Sequence, residues 1–169
     1  MKTLAALLLV LLLLPACSAR EWTPLTSAEG GFRVEMPGEP AREVLTVNTA
    51  IGPIELTTFA LEERERAFVV SFADYPEEHV RARGPAELLD GARDGAVANL
   101  QGRLLTELLI EHEGHPGREF RIEVPGGTAT SQVRMFLVEN RLYQMVVVTP
   151  REQAFSEDVA RFLDSFGLG

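Results

Sequence analysis

The densest run of apolar positions along the chain is residues 133–148, VRMFLVENRLYQMVVV. Val133, Met135 and Leu137 alternate with Arg134, Phe136 and Val138. Leu142, Val146 and Val148 alternate with Tyr143, Met145 and Val147. Both faces are largely apolar, so both must be covered. The polar tripeptide Glu139-Asn140-Arg141 predicts a short hairpin loop, with Asn140 able to take a positive φ.

Simpler alternation surrounds this hairpin. Phe32, Val34 and Met36 share one strand face against Arg33 and Glu35, and Pro37-Gly38 turns the chain. The string FRVEMPG recurs as FRIEVPG at residues 120–126, which predicts two similar strand-plus-turn units rather than a domain repeat. Residues 42–50 and 54–61 predict a second hairpin around Ile51-Gly52-Pro53. Residues 67–75 predict a strand, and residues 103–111 and 118–124 two more, separated by a turn around Gly114 to Gly117. The run EERER at residues 62–66 reads as a solvated loop tip.

Two stretches switch to helical period. Residues 85–100 place Leu88, Leu89, Ala92, Ala96, Val97 and Leu100 on one stripe, with Pro85 at the first helical position, Glu87 in the first turn and Gly102 as terminator. Gly91 and Gly95 inside it each cost roughly 1 kcal/mol relative to Ala, which predicts close packing on a sheet in compensation. A closing helix is expected from Thr149 as N-cap, Pro150 at the first position and Glu152 at the third. Phe155, Val159, Phe162, Leu163 and Phe166 would form its core face, and Gly167 would end it. The expected fold class is α+β: a mostly antiparallel sheet of seven or eight strands with helices on both sides, an α/β/α sandwich.

The N-terminus carries a different signal. Lys2 is followed by eleven apolar residues, Leu4 to Leu14, too few for a bilayer-spanning helix, which needs about 20. Leu14-Pro15-Ala16-Cys17 resembles a bacterial lipobox, with a less usual Pro15. The resemblance implies a signal peptide at residues 1–16, lipidation of Cys17 and a short tether at residues 17–23. A single domain then occupies residues 24–169. Removing residues 1–16 from 169 leaves 153 residues, one domain's worth. Cys17 is the only cysteine, so no intramolecular disulfide forms. Anchoring by more than one acyl chain is stable where one is marginal. The expected location is a bacterial cell envelope, and by Ser18 the periplasmic face of the outer membrane if the cell is Gram-negative. Trp22 is expected to plug the domain edge.

Charge narrows the partners. The net charge is −9, becoming −10 without Lys2, which is the only lysine. With no basic run, this charge argues against nucleic acid and against anionic lipid as partners.

Five landmarks, GGFRVEMPGEP, SFADYP, LLDGARDGAV, GHPGREF and VRMFLVENRLYQMVVV with a closing FLDSF, occur in order. This pattern resembles the PsbP-like proteins, whose fold is shared with a Ran-binding nuclear-import factor. It covers nearly all of residues 22–166. The resemblance implies a non-catalytic accessory or binding domain. The photosystem II relative supports calcium and chloride retention and the nuclear factor binds a GTPase. Neither role is carried over, because no metal-assisting residue can be matched to a position here.

The motif search agrees with that expectation. There is no G-x-S-x-G, P-loop or G-x-G-x-x-G. Nothing in the sequence pairs a histidine with Ser71, Ser131 or Ser156. The one candidate metal cluster is Glu111-His112-Glu113-Gly114-His115 with Glu119 beyond, in which His112 and His115 are the low-ranked ligands. They sit in a turn, not one helical turn apart, and His79 joins only if loops meet. Arg118 and Glu119 read as cross-strand ion-pair members. The expectation is therefore a lipid-anchored, non-enzymatic envelope protein with no cofactor, bound to the membrane and to another envelope protein. The alternative is a small-ligand or metal-binding lipoprotein using a sheet–helix cleft or the His112–His115 turn.

Overall fold

A computed structural model of the chain describes residues 20–49 and 52–169. The expected leader, Cys17, and Ile51 of the expected hairpin turn lie outside the described residues. Ten strands and two helices run in the order β1 (Thr23–Ser27), β2 (Phe32–Met36), β3 (Ala41–Thr49), β4 (Gly52–Glu62), β5 (Ala67–Asp74), α1 (Glu77–Asn99), β6 (Arg103–His112), β7 (His115–Glu123), β8 (Ala129–Val138), β9 (Arg141–Pro150), α2 (Glu157–Asp164) and β10 (Gly167–Leu168). Seven strands form an antiparallel sheet, β3-β4-β5-β9-β8-β7-β6, with β9 at its centre.

The two-sided hairpin is the reason for two cores. Val133, Met135, Leu137 and Leu142 pack with Leu88 and Leu89 of α1, and with Phe120 and Ile122, on one face. Phe136, Tyr143, Met145 and Val147 point the other way, onto Val159, Phe162, Leu163 and Phe166 from α2 and its C-terminal end, and onto Phe32, Val34 and Met36 of β2. Strand alternation requires this division. The α+β sandwich expected from the sequence is the observed architecture.

Several details differ. The first FRxExPG strand, β2, leaves the large sheet and forms a small one with β1 and β10. The central loop is two residues, Glu139 and Asn140, with Val138 opposite Arg141. Its positive φ falls on Glu139 rather than on Asn140, whose Nδ2 donates to the Tyr75 carbonyl at 2.9 Å and whose backbone oxygen accepts from the Tyr75 N–H at 2.8 Å. The β6–β7 turn is Glu113-Gly114, both at positive φ, so His115, Pro116 and Gly117 belong to the strand.

Helix α1 begins at Glu77, earlier than expected, and breaks at Gly84 (φ 78, ψ 162) before Pro85 opens its main segment. At its end Gln101 takes the positive φ (49°) and the Gly102 N–H reaches the Val97 carbonyl at 3.0 Å. Gly102 serves close approach instead: a Cβ there would stand 2.7 Å from the Glu123 backbone oxygen.

Helix α2 starts later than the sequence predicts. Thr149 and Pro150 continue β9, with Thr149 opposite Thr130 and almost fully buried. A 3-10 turn, Arg151–Gln153, follows, anchored by the Arg151 N–H on the Thr128 carbonyl at 3.0 Å. The α-helix starts only after Ser156, with Glu157 and Asp158 at its positive dipole end. Phe155 therefore falls out of helical phase and is 78 % exposed, while Ala154 takes the buried place. Gly167 does not end the helix; it opens β10.

Candidate functional site

Gly91 and Gly95 stand one turn apart on α1, so they share a face. A Cβ at either would meet nothing within 4 Å. The close packing expected of them is absent. They instead line a groove of about 420 Å³ between α1 and the end of the β3–β4 hairpin. Leu88, Ala92, Ala96 and Asn99 continue the helix wall, Val47, Asn48 and Thr49 form the opposite wall, and Gln144 of β9 and Tyr75 complete the lining.

This opening follows from where α1 sits. The helix makes its main contacts with β7 and β8, to one side of β4 and β5. The hairpin end, with β3 exposed along its whole length, comes over that space. The glycine pair is visible in the sequence, where its natural expectation is packing.

The lining is amphipathic. Asn48, Asn99 and Gln144 supply amides that both donate and accept. Arg83 and Glu87 form an exposed i,i+4 ion pair at 3.4 Å beside it. Burial pushes the Tyr75 hydroxyl above its ordinary pKa, so it stays a neutral donor across the physiological range. The Thr49 hydroxyl donates to the Gly52 carbonyl at 2.8 Å. Such a lining recognises an apolar body with a few polar groups.

The other sequence candidates are dispersed. His112 and His115 stand opposite each other at the β6–β7 turn, on the α2 face of the sheet. The His112 ring lies against Phe136 (5.0 Å) and Phe166 (5.5 Å), and its Nε2 is 3.5 Å from Glu113. Among the described residues, no group of three or more His, Cys, Asp or Glu side chains is arranged to hold a metal. Ser71 and Ser131 are buried in the sheet.

Arg118 and Glu119 are both ion-paired, but not to each other, since neighbours in a strand face opposite ways. Glu119 meets Arg134 directly across the β7–β8 pair at 2.6 Å. Arg118 is buried and reaches Asp90 of α1 at 3.0 Å and Glu107 of β6 at 3.3 Å. The EERER turn is likewise more than a solvated tip, because Glu63 and Arg66 are largely covered and paired. Trp22 does plug an edge: it meets Phe68 edge-on at 6.2 Å and carries the Arg161 guanidinium at 4.7 Å.

The fold has a solved counterpart. The solution structure of cyanobacterial PsbP (CyanoP) from Synechocystis sp. PCC 6803 matches with a TM-score of 0.60 at 13 % identity, covering 91 % of this chain and 96 % of that one. The fold is PsbP-like. No family model and no curated protein sequence matches the chain. Among the described residues, no helix is long and apolar enough to cross a membrane.

Proposed function

We propose that the chain is a lipid-anchored, non-catalytic cell-envelope protein. Cys17 carries the lipid, and the domain serves as an accessory module for another envelope protein. The anchor rests on the Leu14-Pro15-Ala16-Cys17 pattern, and the observation that carries the partner reading is the α1–hairpin groove. It offers apolar surface and amides. A partner segment with an apolar side chain flanked by backbone amides fits such a lining.

Two measurements test the reading. Cells expressing the protein are fed a clickable fatty acid; the wild type takes up label and Cys17→Ala does not. Equal labelling of the two removes the anchor. A photo-crosslinking residue at Gly95 should then capture one envelope protein reproducibly in intact cells, while one at the exposed Leu109 on β6 should not. Identical capture patterns at both positions would remove the groove as the docking site. The groove volume also suits a small apolar ligand, and a low-molecular-weight species extracted with the purified protein would favour that second reading.

A further inference from the structure

The lipid-anchor reading gains a geometry from Arg20. Its Nη1 donates to Asp158 at 2.8 Å and its Nη2 to Glu63 at 2.6 Å. Arg66 closes the ring, reaching the same Asp158 oxygen at 2.9 Å and Glu63 at 3.2 Å. All four side chains are between 22 and 32 % exposed, and the two guanidiniums balance the two carboxylates. Partly sheltered, mutually hydrogen-bonded charges hold a fixed position far better than a lone exposed pair.

Only Ser18 and Ala19 separate Cys17 from this clamp. Three Cα steps of extended chain reach at most about 10 Å. An acyl chain on Cys17 therefore brings one defined end of the domain to the bilayer. That end holds the turn between β4 and β5, where Glu63 and Arg66 lie, and the start of α2 at Asp158. Antiparallel pairing places the β7–β8 turn at the same end, since Ala67 faces Val148 and Ala129 faces Pro150. The Glu113-Gly114 and Glu139-Asn140 turns lie at the other end.

Phe155 belongs to the anchored end, three residues before Asp158. Among the described residues it is the most exposed of the large hydrophobic side chains, at 78 %, and the Arg121 guanidinium stacks on it at 4.5 Å. The late start of α2 turns this ring outward. An aromatic ring beside an arginine suits the headgroup layer of a bilayer, where an apolar body and a cation are both accommodated.

We infer that this end of the domain is a bilayer seat: the Arg20–Glu63–Asp158–Arg66 clamp fixes the domain's orientation on the membrane, and Phe155 dips into the headgroup layer. The fitting surface is zwitterionic. Glu21, Glu62, Glu63, Glu65, Glu123, Glu152, Glu157 and Asp158 outnumber Arg20, Arg64, Arg66, Arg103, Arg121 and Arg151 there, so anionic headgroups are not favoured. The clamp lies on the α2 side of the sheet and the groove on the α1 side, so the seated domain leaves the groove open to a partner. The seat rests on the proposed anchor at Cys17.

The test removes the cell from the question. The chain beginning at Cys17 is coupled through that thiol to a maleimide lipid in phosphatidylcholine vesicles brominated near the headgroup. Single-tryptophan reporters are placed in a Trp22→Phe background at Phe155→Trp, Arg64→Trp and, at the far end of β3, Asn48→Trp. Phe155→Trp and Arg64→Trp should be quenched several-fold more strongly than Asn48→Trp. Adding Glu63→Gln and Asp158→Asn should bring the Phe155→Trp signal down toward that of Asn48→Trp. Equal quenching at all three positions, or no effect of opening the clamp, overturns the seat. Because the coupling is chemical, failure of fatty-acid labelling at Cys17 in cells removes the anchor reading without touching this result.

Discussion

The Tyr143 hydroxyl donates a 2.6 Å hydrogen bond to the Gly30 carbonyl, and it ties the central strand of the large sheet to the turn of the small one. Tyr143 stands 4 % exposed, with its ring 6.1 Å from Phe32 and 5.4 Å from Phe166. Arg141 supports the same turn, donating to the Gly30 and Glu29 carbonyls and gripping Asp74 through both oxygens at 2.6 and 2.7 Å. Tyr143→Phe keeps the ring and removes only the hydroxyl. The Gly30 carbonyl retains Arg141 as a partner, so the expected loss is about 1 kcal/mol rather than the full penalty of an orphaned buried carbonyl. Urea unfolding should show a lower midpoint with an unchanged slope; no change in midpoint would mean the hydroxyl contributes nothing.

Arg118 offers a charged counterpart. It is buried against Asp90 and Glu107, while Glu107 is also held by Arg93 at 2.8 Å. Arg118→Met keeps the packing volume and leaves Glu107 with its second guanidinium. The expected cost is about 2 kcal/mol, set by lost charge-assisted hydrogen bonds. Asp90→Asn should cost clearly less, because its side chain is 46 % exposed and solvent already screens it. Chemical denaturation of both variants checks the order; a larger loss in Asp90→Asn reverses the argument.

The parts of this molecule that were legible in sequence are those written in strong periodicity. The alternation at Val133, Met135 and Leu137 against Phe136 correctly required cover on two faces, and the spacing of Val159, Phe162 and Leu163 correctly found the helix that supplies one of them. The start of that helix was not legible. Thr149-Pro150-Arg151-Glu152 satisfies a local capping rule, but the β8–β9 ladder extends to Pro150 and overrides it. The groove was illegible for a related reason. Sequence shows that Gly91 and Gly95 lack side chains, but whether a neighbour fills the gap depends on where α1 lands across the sheet. Arg20 looked like tether because its two carboxylate partners lie 43 and 138 residues away.

Tyr75 gives a prediction in pH. Burial raises its folded-state pKa above the ordinary 10.0. Below pH 10 the hydroxyl is neutral in both folded and unfolded chains, and its contribution to stability is fully present. As pH rises past 10, the unfolded chain ionises first, and stability falls until the folded-state pKa is passed. Tyr75→Phe should therefore flatten the alkaline limb of a stability-versus-pH curve relative to wild type while leaving neutral pH little changed. Parallel alkaline limbs for the two proteins would show that Tyr75 is not the group responsible.

Three glycines separate fold from function. At Gly117, a Cβ would stand 2.4 Å from the Met135 backbone oxygen and 2.5 Å from the Phe136 ring, at the end of the β7–β8 ladder where Gly117 faces Phe136. Backbone cannot yield there, so Gly117→Ala should destabilise by about 1–3 kcal/mol. Gly91→Ala and Gly95→Ala meet open space in a helix and should each stabilise by about 0.5–1 kcal/mol. A chain selected only for stability has no reason to keep these two glycines. If the groove is the docking surface, the same substitutions narrow it, and the double alanine variant should melt higher while losing crosslinked partner in cells. A variant that melts higher and captures its partner undiminished would leave the groove without a role. One that melts lower would mean that α1 depends on its glycines for packing after all.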